Sequence, residues 1–499
     1  MTDDIILSGG RFYGRDDTVD LRLADGMVAE IAPTGTLAAA SVKSAGSADW
    51  IDLDGRFVGP GLWDEHVHFT QWVVGQNRLD LSGTTSAASV LARVRDALRA
   101  SPIAPGATLT GFGFRDALWS DAPSQRALDE VAGETPVVLV SADLHCGWLS
   151  SRAAAAMNLE GYTGDTGIVS ETPWLRALHA HDEGALPVSA YVAAADAAAR
   201  RGVVGITEFE NTENVREWPA RVAAGVTALR VDASIWPDRL DKAIAEGFRS
   251  GDILDPGGLV TVGPLKVIVD GSLNTRTALC WDPYPGLDPH SEHACGVSSV
   301  SPAELRDLLA RAHGGGITAA VHAIGDRANA EVVDTFEELG ISGRIEHAQL
   351  IGDADFARFA RLGLTASVQP EHAMDDRDVA DRLWAGRTDR SYAYASLHRA
   401  GVPLRLGSDA PVAPLDPWQA ISASTSRSRD GREPWHPEQS LPMDVALQSS
   451  ARGRREVEVG SVADLVIVER DPFRASGDDV REMPVSGTLL GGRWTWRAM

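Results

Sequence analysis

The chain is short of cysteine, of basic charge and of long apolar runs, and each shortage removes a class of protein. Its three cysteines, Cys146, Cys280 and Cys295, include no Cys-x-x-Cys pair. Neither a disulfide framework nor a thiolate zinc site is therefore expected, and a reducing compartment fits. Lys and Arg number 46 against 70 Asp and Glu, a formal net charge of -24. Nucleic acid and anionic membrane surfaces demand a basic footprint, so neither is an expected partner. No uninterrupted apolar stretch approaches the ~18 residues of a membrane span. The start, MTDDIILSGGRFYG, has neither the positive nor the apolar region of a signal peptide. The expected location is cytoplasmic.

What is present is ordinary globular composition, 44% hydrophobic and 23% charged over 499 residues, enough chain for more than one domain. From Ile5 to about Phe57 the pattern is short and β-like, with a turn signal at Asp25-Gly26. The last forty or so residues read the same way, with GSVADLVIVERDP giving one strand and Gly491-Gly492 a hairpin. Residues 1–58 and 456–499 are expected to pair into one small composite β-sandwich domain.

Between them lie eight strand-like runs separated by helical patterns: GLWDEHVH, GITEFE, TALRVDASI, VGPLKVIVDG, ITAAVHAIGD, GRIEHAQL, LTASVQP and PLRLGSD. Strands alternating with helices imply right-handed βαβ units, and eight of them a closed (β/α)8 barrel over residues 59–455. One helix start is well marked. Ser301 supplies an N-cap, Pro302 sits at N1, Glu304 at N3, and Gly314 to Gly316 stop the helix. The stretch at about 75–200 is too long for one helix and is expected to be an insertion after the first strand. It carries a helical pattern from Ala87 to Leu98 and two strand candidates, TLTGFGF and PVVLVSADLH. Lying over the catalytic face of the barrel, it would shape a pocket.

Several of these runs end in residues that bind divalent metals. Residues i and i+2 of a strand share a side, so His66 and His68 face the axis together while Val67 packs outward. His-x-His alone is a weak signal. Here it follows the Gly59-Pro60-Gly61 breaker, and Asp64 before it is placed to orient an imidazole. His322 and His347 end consecutive strands. Either alone would read as a packed or capping histidine, but together with the others they read as ligands. Asp409 closes PLRLGSD, where the bland alternative is a helix N-cap. His179, His181, His290, His293, His313, His398 and His436 lie in polar loops or helices and read as non-ligands.

Lys266 is the diagnostic residue. Inside LKVIVD, an ammonium is costly without a partner. A salt bridge is the structural explanation. A neutral amine can instead take up carbon dioxide as a carbamate whose two oxygens bridge two metal ions. Period 2 places Lys266, Ile268 and Asp270 on one face.

These residues and the segments VHAIGDRAN, RIEHAQL, SVQPEH, GSDAPVAPLDPW, VDGSLNTRTA and GSVADLVIVERDP resemble the amidohydrolase superfamily. More narrowly they are similar to amidohydrolase family 3, the branch with N-substituted formamide deformylases. The resemblance covers nearly the whole chain. It implies a distorted TIM barrel plus a β-sandwich, and one or two divalent ions of the zinc type. His66, His68 and Asp409 would bind the more buried ion, His322 and His347 the second, and carboxylated Lys266 would bridge. The implied reaction is hydrolysis of a C–N bond in an amide, N-formyl group or cyclic amide by metal-activated water. Asp409 would take the proton and later give it to the leaving amine. His145, in SADLHCGW, matches a family segment and would position or polarise substrate, and His372 of SVQPEH would line the pocket. Asp326 and Arg327 would be supporting or structural. Leu144 stands where relatives usually have glycine, and LQSSARGRREVEV lacks the family's threonine-alanine pattern.

Deaminase and lactonase or esterase chemistry on the same barrel are alternatives, as is a non-catalytic ligand-binding or regulatory barrel. The expected partners are a small-molecule substrate and, as an alternative to a monomer, a second copy of the chain. Fourteen tryptophans, among them Trp63, Trp72, Trp119 and Trp148, hint at an aromatic-lined site, although core packing explains most tryptophans equally well.

Overall fold

The computed structural model describes residues 4–37, 49–75, 78–100, 104, 107–180 and 186–499, with side chains of 178–180 excepted. Eight strands form the central sheet: Leu62–Val67, Val203–Glu208, Arg230–Ile235, Val260–Ile268, Ala319–Ala323, Arg344–His347, Thr365–Val368 and Leu404–Leu406. They are hydrogen-bonded in chain order and every pairing is parallel. The sheet closes where Val67 bridges Ala410. There the His68 N–H donates to the Ala410 carbonyl and the Asp409 N–H to the His66 carbonyl, both at 2.8 Å. This is the expected distorted TIM barrel. Outward-facing Val267, Val321, Ile345 and Ala366 pack with Leu309, Val332, Phe336 and Phe359 of the surrounding helices into one buried core. Ser301 caps the helix Pro302–Gly314 as its sequence predicts, its side chain accepting from the Glu304 N–H.

The two chain ends share one mixed eight-stranded sheet. Strands Leu465–Val468, Val485–Leu490 and Arg493–Arg497 join the amino-terminal strands through Phe57–Pro60. The sheet curls back on itself, since Val28 at its far edge exchanges backbone hydrogen bonds with Gly460 and Ser461 at 2.8 and 2.9 Å. Leu7, Leu21, Val28, Ile51, Leu465, Ile467 and Leu489 fill the interior of this β-sandwich. Asp25-Gly26 and Gly491-Gly492 both take positive φ, the backbone that two-residue hairpins need.

The insertion builds a five-stranded sheet from Leu79–Asp80 to Ile168–Ser170. Its strands Leu109–Phe114 and Val137–Ser141 are the two candidates read from sequence, and helix Ala87–Ala100 packs Val90 and Val94 beneath them. The following helix, Val188–Ala199, belongs to the barrel, packing Tyr191, Ala194 and Ala198 on Val203 and Ile206. The barrel therefore resumes before residue 200. No helix among the described residues is long and apolar enough to cross a membrane.

The closing seam has no spare room. A Cβ on Gly407 would lie 2.8 Å from the His66 backbone nitrogen, closer than real contacts allow. Gly407→Ala is expected to lower stability by ~1–3 kcal/mol, read as a lower urea midpoint with unchanged slope. An unchanged midpoint would mean that the seam gives way freely.

Candidate active site

The first strand carries a bulge. Asp64 pairs with Ile206 and Val67 with Glu208, so Glu65 and His66 together oppose Thr207. An extra residue breaks the alternation, and both side chains turn inward. Glu65 reaches Thr207, Arg344 and Arg452. His66 reaches the site. Asp64, expected to orient an imidazole, instead accepts from the backbone N–H groups of His66 at 3.2 Å and Ser408 at 2.8 Å, tying the first strand to the turn after the eighth. Glu346 takes the orienting role, its Oε2 accepting from His66 Nδ1 at 2.7 Å while Arg344 holds Oε1 at 3.0 Å. With Nδ1 protonated, His66 Nε2 is bare.

That nitrogen lies 3.1 Å from Lys266 Nζ and 3.5 Å from Asp409 Oδ1, and His68 Nε2 lies 3.3 Å from the same oxygen. Lys266 is 1% exposed. Burial lowers its pKa from 10.5 to about 8, so much of it is the neutral amine near that pH. Burial, then the Lys266 charge, holds His66 well below the usual imidazole range. For His68 burial is outweighed by the Asp409 hydrogen bond and charge, and its pKa rises. Asp409 shows the reciprocal shift, well below the carboxylate range despite burial. It is no helix N-cap, since Asp416 caps the next helix, Pro417–Ser426.

His347 donates from Nδ1 to Gln369 Oε1 at 2.8 Å, and burial, then the neighbouring His322, keeps it neutral. Donor atoms of His66, His68 and Asp409 lie within 4.8 Å of one another, as do those of His347, His372 and Asp409. His322 packs its ring 4.5 Å from that of His347, but its Nε2 points to Asp270 Oδ1 and the Gly271 carbonyl, both at 3.4 Å. Among the described residues it joins no set of three mutually close donors. Asp270 accepts from the backbone N–H groups of Leu279, Ile324 and Gly325. The donors suit a divalent ion of the zinc type: imidazole and carboxylate groups, two rings held neutral, and a buried His372 Nε2 without a hydrogen-bond partner.

These groups open into a cavity of about 250 Å³ lined by Leu144, Leu175, Ile268, Trp236, Val412, Arg115 and others. Of the tryptophans, Trp236 is in its wall; Trp63, Trp72, Trp119 and Trp148 are packed elsewhere, Trp148 at 0% exposure in the insertion core. His145 enters from the insertion. Leu144 holds φ +64, a conformation natural to glycine and strained for leucine. His145 Nδ1 meets Glu171 Oε2 at 3.2 Å. Burial opposes its charge but Glu171 prevails, raising the pKa to about 9, while Glu171 itself falls to about 2. Thr277 and Thr275 donate to the other Glu171 oxygen. Asp326 accepts from the Trp281 N–H and Arg390, and Arg327 pairs with Glu331, so both are structural. None of His290, His293, His313, His398 and His436 lines the cavity. His181 and the His179 side chain fall outside the described residues.

A parallel barrel with clustered imidazoles, a buried lysine and an aspartate at the carboxyl ends of its strands defines a metal-dependent hydrolase. The profile of the Amidohydrolase family matches residues 49–495, and the chain belongs to that family. It is 26% identical to Protein LONG AFTER FAR-RED 3 of Arabidopsis thaliana, covering 98% of this chain and 91% of that one. It is 25% identical to N-substituted formamide deformylase of Arthrobacter pascens, covering 93% and 92%. Among solved structures, an uncharacterized metal-dependent hydrolase from Pyrococcus horikoshii OT3 superposes with a TM-score of 0.78 at 26% identity, over 95% of this chain and 99% of that one.

The pKa of His145 lies above its usual 6.5, so the stabilisation drawn from Glu171 is complete below pH 6.5 and is lost as pH rises through about 9. Glu171→Gln is expected to bring the imidazole midpoint down to the usual histidine range or below, followed by NMR. A midpoint still near 9 would remove Glu171 as the cause.

Proposed function

We propose that the chain hydrolyses a C–N bond in an amide, N-formyl or cyclic amide substrate. The observation that carries this reading is the buried Lys266, its pKa lowered by burial to about 8, beside His66 and in one cluster with His68 and Asp409. In this reading His66, His68 and Asp409 would hold one divalent ion and His322 and His347 a second, with Lys266, as a carbamate, a further ligand. A bound ion of this kind polarises a carbonyl and lowers the pKa of water towards neutrality.

The remaining work falls to the chain's own groups. Bare nitrogens on His66 and His347 follow from their neutrality and from the fixing of Nδ1 by Glu346 and Gln369. Asp409 stays ionised throughout the neutral range, the state from which it takes a proton from water and returns it to the leaving amine. His145, an imidazolium up to about pH 9, faces the same cavity as a donor to charge developing on the carbonyl oxygen. His372 lines the wall and contacts substrate. The cavity admits a small molecule, and its leucine, isoleucine and valine walls favour an apolar substituent. The likeness to an N-substituted formamide deformylase supports starting with formamides.

The test is a panel of formamides, amides, cyclic amides, esters and aminopurines, assayed before and after chelation. Turnover of a C–N substrate that is lost on chelation and restored by zinc is expected. Full activity of metal-free protein would sink the reading, and exclusive ester turnover or ammonia release from aminopurines would redirect it. A carbamate on Lys266 requires carbon dioxide, so protein reloaded with zinc in carbon dioxide-free buffer is expected to regain activity only when bicarbonate is added, and Lys266→Ala not at all. Bicarbonate-independent recovery would remove the carbamate.

A further inference from the structure

We propose that His347, His372 and the Oδ2 oxygen of Asp409 form a second divalent-cation position, beside the one built from His66, His68 and Oδ1. This rests on the metal-binding reading above but moves the second ion: His372, which that reading gives to substrate, takes the place beside His347 that it gives to His322, whose Nε2 is turned to Asp270 and the Gly271 carbonyl. His372 stands in the first turn of helix Pro370–Leu383 and is 6% exposed. Its Nε2 is buried with no hydrogen-bond partner, a condition that buried polar atoms rarely keep. Asp409 Oδ2 is 3.8 Å away, too far for a hydrogen bond. Two ligands of one tetrahedral zinc ion, each at about 2.0–2.1 Å, stand ~3.4 Å apart. The observed spacing is close to that of a ligand pair.

The neighbours leave these atoms free for a cation. His347 carries its proton on Nδ1, bonded to Gln369, which leaves Nε2 bare. The His347 and His372 rings lie 6.1 Å apart and nearly parallel, at 14°. Adjacent Glu371 is taken by Arg429 and Arg481, and Asp376 by Tyr392 and Arg115. The two Asp409 oxygens face different histidines: Oδ1 lies near His66 and His68, and Oδ2 near His372. One carboxylate thus spans both positions.

The experiment uses full-length protein stripped with chelator and reloaded with Co²⁺ or Zn²⁺, with metal content measured after dialysis and Co²⁺ binding followed by visible absorption. Wild type is expected to retain two ions per chain. His372→Ala and His372→Gln should each retain one, bound as tightly as the tighter ion of wild type. Two ions in both variants, a single ion in wild type, or none in both variants would each overturn the proposal. Two ions without hydrolysis of any C–N substrate would sink the hydrolase reading and leave this position standing. Hydrolysis by a protein that holds one ion would do the reverse.

Discussion

The site depends on how the barrel closes. Between the first and eighth strands, two backbone hydrogen bonds join His68 to Ala410 and Asp409 to His66. They join residues that are themselves candidate ligands or adjoin one, so the contact that shuts the barrel also sets the distances among His66, His68 and Asp409. Asp64 strengthens the seam by accepting from both sides of it. Asp409 pays for its place with a left-handed backbone at φ +58, as does His347 at φ +71. Such conformations are held only where surrounding bonds over-determine them, and they concentrate at functional sites.

Beneath the cluster the barrel interior is not the usual stack of branched aliphatic side chains. Glu65, Asp232 and Glu346 face Arg344, Arg405 and Arg452, three negative groups against three positive ones. Burying a charge is tolerable only when it is paired and bonded, and here the pairing runs upward in one chain: Arg452 to Glu65, Glu65 to Arg344, Arg344 to Glu346, Glu346 to His66. Arg452 comes from the segment LQSSARGRREVEV, and its guanidinium stacks on Trp63 at 3.4 Å. Arg452 thus plugs the barrel floor, and the chain of bonds that orients His66 starts from it.

Much of this was legible from sequence because a buried parallel strand is nearly all apolar, and a polar residue at its end stands out. That signal located all eight strands, and it placed His66, His68, Lys266, His347 and Asp409 together at one end of the barrel. It failed where partners meet only after folding. Glu346 and Glu171 were missed: one lies 280 residues from the His66 it orients, and the other 26 residues from His145. Arg344 and Glu346 did leave a trace, as charges flanking Ile345 in the short buried strand RIEH. The bulge at Glu65-His66 left none, because strict alternation from His66 to His68 reads the same with or without it. The tryptophan hint misled for a related reason. A large apolar ring fits a core as well as a pocket wall, and Trp148 and Trp63 went to the former.

Polar bonds help to hold the insertion over the barrel mouth. Its own core, around Val90, Leu139 and Trp148, is separate from that of the barrel. Across the junction run Ser272 to Asp143 at 2.7 Å, Thr277 to Glu171 at 2.6 Å and Arg115 to Asp375 at 2.8 Å. Two of these acceptors also serve His145: Asp143 takes its backbone N–H, and Glu171 its ring. The bonds that dock the insertion therefore also aim and charge His145. Leu144, just before His145, has a physical role of its own. The strained φ costs on the order of 1 kcal/mol, while the side chain, 7% exposed, buries itself with Val138, Val140 and Trp174 and borders the cavity. Glycine would relieve the strain and lose that apolar wall, so a leucine here narrows the mouth at the residue that precedes His145.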